Sequence, residues 1–361
     1  MLTKAFSLHG LAREDFAPPN GQHLLVTGAS GMLGRELALH LLRQGYHLTL
    51  MQRSDSGISQ LLPQSLGSRV RQVQASITDR QAVAEAVQGV NGLIHLAAKV
   101  SMTGHWQDFF AVNVTGTQLL VQAAVEQDGL KDFLFISSPS VAHFGSAFMG
   151  QPALPAQPEL ARGNYARSKA MAEQLVLAAD GQSLRVGVLR PHIVWGPGDT
   201  QLVERILARA SQGRLPLLNE GNALIDTTYI DNAVAAIFAG YTRLDKIHGQ
   251  PLVVSNGQPR PVAEIIAGMC EAVGIQAPRR SIPAAAATLA GSVIEKVWQF
   301  GFSQDEPPMT HFLAEQLSTS HWFDQRLTRE LLDWTPDISL EQGYQKLAEF
   351  YGSNTWQRGQ R

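Results

Sequence analysis

The chain has 361 residues, a net charge of −2 and a single cysteine, Cys270. The near-neutral charge argues against a nucleic-acid-binding face, and one cysteine excludes an internal disulfide framework and a multi-cysteine metal site. Hydrophobic residues make up 44% and charged residues only 17% of the chain, which predicts a large core and argues against extended disorder.

No targeting or membrane-spanning segment is expected. Residues 1–21, which we assign to an N-terminal extension, lack an unbroken apolar stretch of signal-peptide length. No other stretch reaches the roughly 18 consecutive apolar residues that a spanning helix needs. The sequence therefore favours a cytoplasmic protein, with peripheral contact with a membrane left open.

Strands and helices alternate through the first half of the chain. Short apolar runs predict strands at residues 23–27, 47–51, 69–74, 92–97, 132–137 and 184–189, and helical spacing recurs at 32–44, 79–88, 106–126 and 164–179. This order predicts an α/β fold with a Rossmann-type, doubly wound parallel sheet over residues 22–190. A ligand is expected beyond the carboxyl ends of the strands.

The pattern loosens after Arg190. Prolines and glycines at 191–198 predict a long loop, followed by a helix at 201–212, a strand at 251–255 and mainly helical segments over 257–361. We assign 224–256 to a return into the Rossmann domain, and 191–223 with 257–361 to a smaller, mainly helical substrate domain. The apolar segment Ala284–Phe302 fits a buried helix, a wall for long acyl chains or an interfacial segment.

A glycine-rich turn joins the first strand to the first helix. Gly28 permits a tight turn, Gly31 lets the backbone approach a pyrophosphate, and Gly34 allows the helix to pack closely on the strand. The free N–H groups at the start of the helix favour phosphate. In this setting the motif predicts a dinucleotide site, the alternative being a purely structural turn.

The end of the second strand indicates which dinucleotide is bound. Gln52 stands where NAD-binding proteins of this kind usually carry an acid, and Arg53 follows it. An arginine fork can pair with a 2′-phosphate. We therefore favour NADP(H), with NAD(H) and a merely solvated Arg53 as the alternatives.

Two further features add chemistry at the same edge. Tyr165 and Lys169 are four residues apart on a predicted helix, so they share one face. A nearby ammonium favours phenolate and would lower the pKa of Tyr165, making it a proton donor or acceptor for a carbonyl–alcohol pair. The hydroxyls of Ser137, Ser138 and Ser140 follow the fifth strand, where one could orient a substrate oxygen or only satisfy backbone groups.

With these motifs the chain resembles the extended short-chain dehydrogenase/reductases over residues 22 to about 350. The matching stretches are Thr27–Gly34, His95–Ala98, Asn113–Thr117, Ser137–Ser138, Tyr165–Lys169 and Arg190–Pro191. The resemblance implies Ser138, Tyr165, Lys169 and Asn113 as catalytic residues. The cofactor-binding set that it implies is Gly28, Ser30, Gly31, Met32, Leu33, Gly34, Gln52, Arg53, Ser76, Ile77, Leu96, Ala97, Ala98, Lys99, Tyr165, Lys169, Pro191 and Ile193.

Within that superfamily, the stretches 190–199 and 226–232 resemble the 3β-hydroxysteroid dehydrogenase branch. Two groups in it are most similar: bacterial 2-alkyl-3-oxoalkanoate reductases of olefin biosynthesis and sterol-4α-carboxylate 3-dehydrogenases. Segments 97–100, 138–141, 307–310 and 321–324 look more like the reductases. This implies reduction of a long-chain 2-alkyl-3-oxo acid. A nucleotide-sugar epimerase or dehydratase and a non-catalytic NADP-sensing protein are less favoured.

Both substrate groups are apolar molecules that carry a carboxylate near the reacting oxygen, so we looked for a cationic partner. Lys99 is the candidate, and Ser140 and His143 are further candidate substrate contacts. Solvent-exposed roles are the alternatives for Lys99 and His143. Ser76 replaces the usual acid that contacts adenine, which weakens that contact. A homodimer and contact with other olefin-pathway enzymes are compatible with the resemblance, and no metal is expected.

Overall fold

The protein was analysed as a computed structural model, which describes residues 13–101, 103–142, 145, 147–300 and 311–353. The strands are β1 (His23–Thr27), β2 (His47–Gln52), β3 (Val70–Gln74), β4 (Gly92–His95), β5 (Asp132–Ile136), β6 (Phe148–Gln151), β7 (Arg185–Pro191), β8 (Val194–Trp195), β9 (Leu217–Leu218), β10 (Leu224–Ile225), β11 (Thr228–Tyr229), β12 (Pro251–Val254), β13 (Arg260–Pro261), β14 (Ser281–Ile282) and β15 (His321–Phe323).

The helices are α1 (Met32–Arg43), α2 (Arg80–Ala86), α3 (Trp106–Phe109), α4 (Thr117–Glu126), α5 (Gly163–Leu177), α6 (Val203–Ser211), α7 (Ile230–Thr242), α8 (Leu244–Ile247), α9 (Val262–Ala272), α10 (Ala284–Phe300), α11 (His311–Ser318), α12 (Arg326–Leu332) and α13 (Leu340–Ser353). A π-helical segment, Phe110–Gly116, joins α3 to α4. Among the described residues, no helix is both long and apolar enough to cross a bilayer.

Seven parallel strands form the central sheet in the order β12-β7-β5-β4-β1-β2-β3. All six strands predicted from the first half of the chain lie in it, so the predicted Rossmann-type fold is confirmed. The order reverses direction beside β1, which places the expected ligand crevice between the carboxyl ends of β1 and β4. Four consecutive residues of β5, from Phe133 to Ile136, are buried because helices cover both faces of a parallel sheet.

Two apolar layers enclose this sheet. One face packs against α1, α7, α8 and α12, with Leu37, Ile237 and Leu332 among its buried residues. The other face packs against α2, α4 and α5, with Leu120 and Val176 at its centre. The helix α7 was not predicted from the sequence. Its residues are apolar on most sides because it is buried between α1 and the sheet.

The second region is built around α6, α9 and α13 and a separate group of buried residues that includes Trp195, Tyr229 and Met269. It also contains a four-stranded sheet in the order β13-β10-β15-β6, which the sequence did not indicate. These strands are two to four residues long, too short for a recognisable alternation of polar and apolar residues.

Two segments outside residues 22–190 also pack into the core of the Rossmann sheet. Phe16, in the assigned N-terminal extension, is buried in the core on the α1 side of the sheet, and the amide of Ala17 donates to the carbonyl of Arg43 at 2.9 Å. Leu332 and Trp334, assigned to the substrate domain, are buried in that same core. Both segments add apolar cover to the Rossmann sheet, one from directly before β1 and the other from near the end of the chain.

Candidate active site

The glycine turn has the geometry that a dinucleotide requires. Gly28 has a φ of 80°, and a Cβ there would lie 2.9 Å from the amide nitrogen of Ala97. A Cβ at Gly34 would lie 2.3 Å from the carbonyl oxygen of Gly28, so only glycine allows α1 to pack this closely. At Gly31 the nearest atom is 3.5 Å away, and no side chain caps the start of α1. The backbone N–H groups there are available to a pyrophosphate, so these residues fit the cofactor.

The loops beside this turn hold the other predicted cofactor residues. Leu96, Ala97 and Ala98 follow β4, and the amide of Leu96 donates to the carbonyl of Thr27 at 3.3 Å. Pro191 ends β7, and Ile193 follows with a φ of 44°, which is rare for a β-branched residue. This backbone conformation turns the chain from the sheet into β8.

Residues at the end of β2 form a polar cluster. Gln52 is buried and its Nε2 donates to Oε1 of Gln72 at 3.0 Å, while Gln72 donates to Ser59 at 2.9 Å. The Oε1 of Gln52 is buried without a hydrogen-bond partner in the described part of the chain. Arg53 is exposed directly after it. The accessible guanidinium of Arg53, beside side chains without negative charge, can pair with a phosphate.

The segment after β3 differs from an adenine site with an acid. Ser76 bonds to the hydroxyl of Thr78 at 2.8 Å and accepts the amide of Thr78 at 3.2 Å. Its neighbour Ile77 is buried, and a Cβ at Gly116 would lie 2.6 Å from it. Ser76 thus closes a local turn, while Ile77 packs under the π-helical segment.

Ser138, Tyr165 and Lys169 meet at the carboxyl end of β5. The Nζ of Lys169 donates to the carbonyl of Ile136, the last residue of β5, at 2.7 Å and lies 3.9 Å from the ring centroid of Phe135. Tyr165 and Lys169 are one turn apart on α5, and the side chain of Ser138 lies near enough to Tyr165 to lower the pKa of the phenol. The hydroxyls of Ser138 and Ser140 lie 2.9 Å apart.

Burial controls the protonation of this group. It raises the pKa of Tyr165 to about 12, against a smaller opposite effect of the side chain of Ser138. It lowers the pKa of Lys169 to about 7, and Glu173 acts in the opposite direction. The sequence led us to expect a pKa of Tyr165 lowered by Lys169. The structure instead has a phenol that keeps its proton at neutral pH, because desolvation of the phenolate dominates.

A buried ion pair lies behind Lys169. Glu173, one further turn along α5, forms a two-point contact with Arg190 on β7, with Nε of Arg190 donating to Oε2 at 3.0 Å. Arg190 also donates to the carbonyl of Leu154 at 2.7 Å. The sequence reasoning missed Glu173, although its spacing of four from Lys169 places it on the same helix face.

Asn113 connects three segments of the site. It lies in the π-helical segment, where its Oδ1 accepts the amide of Lys99 at 2.7 Å and its Nδ2 donates to the carbonyl of Lys99 at 3.1 Å. The same Nδ2 donates to Oγ of Ser168, beside Lys169, at 2.9 Å. The widened π turn carries this buried amide between the loop after β4 and α5.

A second buried chain of hydrogen bonds runs through His95, which lies on β4. The hydroxyl of Thr117 donates to the carbonyl of Asn113, so it must accept from Nε2 of His95, 2.9 Å away. The other ring nitrogen then accepts from the hydroxyl of Thr27 at 2.7 Å, and Thr27 accepts the amide of Ala97 at 3.1 Å. His95 is therefore neutral, in agreement with burial holding its pKa well below the usual range.

The predicted substrate contacts occupy different surroundings. Ser140 lies beside Ser138, as described above. Lys99 is part-exposed and its Nζ lies 3.4 Å from Oδ2 of Asp108. His143 lies outside the described residues, as does the segment 307–310. Two further side chains at this edge were not singled out as binding groups: Arg162, for which the sequence has no signal, and Ser137, whose buried hydroxyl has no partner in the described chain.

A Rossmann sheet with this glycine turn, and with a tyrosine, a lysine and paired serines at the adjoining edge, defines the class as an NAD(P)-dependent oxidoreductase of the extended short-chain dehydrogenase/reductase type. The chain belongs to the 3-beta hydroxysteroid dehydrogenase/isomerase family, whose model matches residues 25–284.

Comparison with known proteins agrees with this family. The chain is 36% identical over 330 residues to a 2-alkyl-3-oxoalkanoate reductase of Stenotrophomonas maltophilia (90% of this chain and 98% of that protein). It is 27% identical over 353 residues to the 3beta-hydroxysteroid-dehydrogenase/decarboxylase isoform 2 of Arabidopsis thaliana (92% and 62%). A UDP-glucuronic acid 4-epimerase from Bacillus cereus, solved with NAD, shares the fold with a TM-score of 0.71 at 21% identity (92% and 99%).

Proposed function

We propose that this protein reduces the 3-keto group of a long-chain 2-alkyl-3-oxoalkanoate to the 3-hydroxy acid with NADP(H). The observation that carries the proposal is the meeting of Ser138, Tyr165 and Lys169 beside the glycine turn, in a chain 36% identical to a 2-alkyl-3-oxoalkanoate reductase over nearly its whole length. The exposed Arg53 beside the uncharged Gln52 supports NADP(H) over NAD(H).

Each residue of the site would have its own role in the reaction. Ser138 donates a hydrogen bond to the substrate carbonyl and is itself positioned by Ser140. Tyr165, protonated at neutral pH, gives its phenolic proton to the carbonyl oxygen. Lys169 would hold the nicotinamide ribose one helical turn from the phenol, and Asn113 fixes the helix that carries both. The bound dinucleotide supplies the hydride.

Gly28, Gly31 and Gly34 would hold the pyrophosphate, with the backbone of Ser30, Met32 and Leu33 around it. The loops Leu96–Lys99 and Pro191–Ile193 would flank the nicotinamide. Gln52, Arg53, Ser76 and Ile77 would contact the adenosine end. Each of these segments lies at or just after the carboxyl end of a strand of the central sheet, which supports this assignment.

Oxidation of a 3β-hydroxysteroid or a sterol-4α-carboxylate is the second candidate. The family as a whole and the Arabidopsis relative favour it. It uses the same Ser138, Tyr165 and Lys169 on the reverse reaction, so only the substrate pocket distinguishes the two activities.

The test is cofactor oxidation with a panel of 2-alkyl-3-oxo acids, 3-ketosteroids and nucleotide sugars, each with NADPH and with NADH. We expect turnover of the oxo acids and a lower KM for NADPH than for NADH. Turnover of the steroids alone, or of nucleotide sugars alone, would contradict the proposal.

The variant Tyr165→Phe tests the proton donor. We expect its kcat to fall roughly 10²- to 10⁴-fold, as is typical when a general acid is lost, with NADPH affinity retained. The matched control is Tyr46→Phe, because Tyr46 is buried before β2, at the opposite end of the sheet, and should leave kcat unchanged. Full activity of Tyr165→Phe would remove Tyr165 from the mechanism.

A further inference from the structure

The proposed substrate has a carboxylate two bonds from the reacting carbonyl carbon, so its binding site needs a cation near Ser138 and Tyr165. Several described cations lie around that edge, and most have partners within the Rossmann domain. These partners are the carbonyl of Ile136 for Lys169, Glu173 for Arg190, Asp108 for Lys99 and the ring of Trp106 for Arg167.

Arg162 is placed differently. It directly precedes α5 and lies one turn before Tyr165. Its guanidinium packs against Gly145, in the loop that follows Ser138, so closely that a Cβ at Gly145 would lie 2.5 Å from Cζ. The guanidinium therefore lies between the loop that carries the predicted catalytic serine and the helix that carries the predicted catalytic tyrosine.

The partner of Arg162 lies on α11, outside the Rossmann domain. Nη1 of Arg162 donates to Oε1 of Glu315 on α11. That helix packs along the apolar helix α10 and contacts β9 in the substrate region. The side chain of Arg162 is 45% exposed and that of Glu315 is 18% exposed, so a solute can reach the guanidinium. A carboxylate is already bound at this position, and it is the protein's own.

We propose that Arg162 binds the substrate carboxylate and that Glu315 occupies the guanidinium until substrate arrives. The inference rests on the proposed function, because a substrate without a carboxylate has no use for this site. Exchanging one carboxylate for another keeps the charge of the arginine paired. The displaced carboxylate of Glu315 is part-exposed, so water can reach it. The planar fork of arginine suits two-point contact with a carboxylate better than the single ammonium of Lys99 does.

The experiment compares a charged substrate with its neutral counterpart. A 2-alkyl-3-hydroxy acid and its methyl ester are oxidised with NADP⁺, and NADPH formation is followed for wild type, Arg162→Met, Arg162→Lys, Glu315→Gln, Lys99→Met and Arg243→Met. The ester has the same alkyl chains and the same reacting alcohol but no charge. Its turnover also reports whether each variant is folded and binds cofactor.

We expect Arg162→Met to raise the KM for the acid roughly 10- to 100-fold, the equivalent of one lost charge-assisted hydrogen bond, and to leave the ester unchanged. Arg162→Lys should raise the KM for the acid less than Arg162→Met does, because it keeps a positive charge. Glu315→Gln should lower the KM for the acid because it removes the competing carboxylate. Lys99→Met, in a loop that would flank the nicotinamide, should affect acid and ester equally. Arg243→Met is the matched control, because Arg243 is also a part-exposed arginine paired with a carboxylate, that of Asp333, and it should change the KM of neither substrate.

Several results would overturn the inference. One is an equal rise in KM for acid and ester in Arg162→Met. Another is a rise in KM for the acid alone in Lys99→Met but not in Arg162→Met. A third is a raised KM for the acid in Glu315→Gln. An acid KM that stays at the wild-type value in Arg162→Met contradicts this inference alone. A wild type that oxidises a 3-hydroxysteroid but neither the acid nor the ester contradicts the proposed function, and the inference with it.

Discussion

At the scale of single residues, desolvation decides the chemistry of the site more than neighbouring charge does. Tyr165 and Lys169 share a helix face, yet burial moves their pKa values in opposite directions, upward for the phenol and downward for the ammonium. Burial favours the neutral form of each group. A neutral phenol suits proton donation to a carbonyl, the direction of reaction that we propose.

The lowered pKa of Lys169 predicts a pH-dependent contribution to stability. Above about pH 7 the folded chain has released a proton that the unfolded chain keeps up to about 10.5, so this group makes the unfolding free energy rise with pH in that window. Lys169→Met removes the effect. We therefore expect the stability of the variant relative to wild type to fall by about 2–3 kcal/mol from pH 6 to pH 9.

The measurement is urea denaturation of both proteins at several pH values. Any pH-independent cost of the substitution, such as the lost hydrogen bond to Ile136, cancels in the comparison. A difference in stability that stays constant between pH 6 and pH 9 would contradict a lowered pKa for Lys169.

At the scale of secondary structure, the region 106–126 has the helical spacing that the sequence predicted, but its central segment is π-helical. Local propensity does not specify such a segment. It forms where Asn113 bonds to the backbone of Lys99 and to Ser168, on two segments that are distant in sequence. The family resemblance pointed to Asn113, whereas the hydrogen-bond partners of Asn113 depend on how α5 packs against the π-helical segment.

The hydrogen-bond chain through His95 provides a test at this scale. Thr117→Val removes the acceptor of the buried Nε2–H of His95, and an unsatisfied buried donor costs about 1–3 kcal/mol. Thr242→Val is the matched control, because Thr242 also donates to carbonyls of its own helix but is exposed. We expect the control to change stability by less than about 0.5 kcal/mol.

Unfolding free energies from chemical denaturation check this prediction. Equal losses of unfolding free energy in Thr117→Val and Thr242→Val would mean that the hydrogen-bond chain through His95 stabilises the protein no more than an exposed helix hydroxyl does.

At the scale of the whole molecule, the sheet is completed by residues far from residues 22–190. The strand β12 adds the edge beside β7, and α7 covers the face on which α1 lies. Leu332 and Trp334 then close that core from near the end of the chain. The Rossmann domain therefore depends on residues that a division by sequence places in the substrate domain.

This dependence predicts a large effect for Trp334→Ala. Trp334 is 7% exposed, and truncating a buried tryptophan typically costs about 3–5 kcal/mol. Trp106→Ala is the control, since Trp106 is less buried and its ring stacks with Arg167 at 4.7 Å, a contact worth about 1 kcal/mol near a surface. Thermal and urea unfolding of both variants would measure the difference, and equal losses would contradict the assigned role of Trp334.

The sequence by itself determined the alternation of strands and helices and the glycine turn, which follow from periodicity and from backbone freedom at glycine. Spacing placed Tyr165 and Lys169 on one helix face, and the family resemblance implied Ser138 and Asn113. The sequence alone sets such short-range features. It could not determine the direction of the pKa of Tyr165, the Glu173–Arg190 pair, the placement of Trp334 or the contact of Arg162 with Glu315. Each of these depends on which distant segments exclude water from a side chain or bring it a partner, and only the tertiary structure decides that.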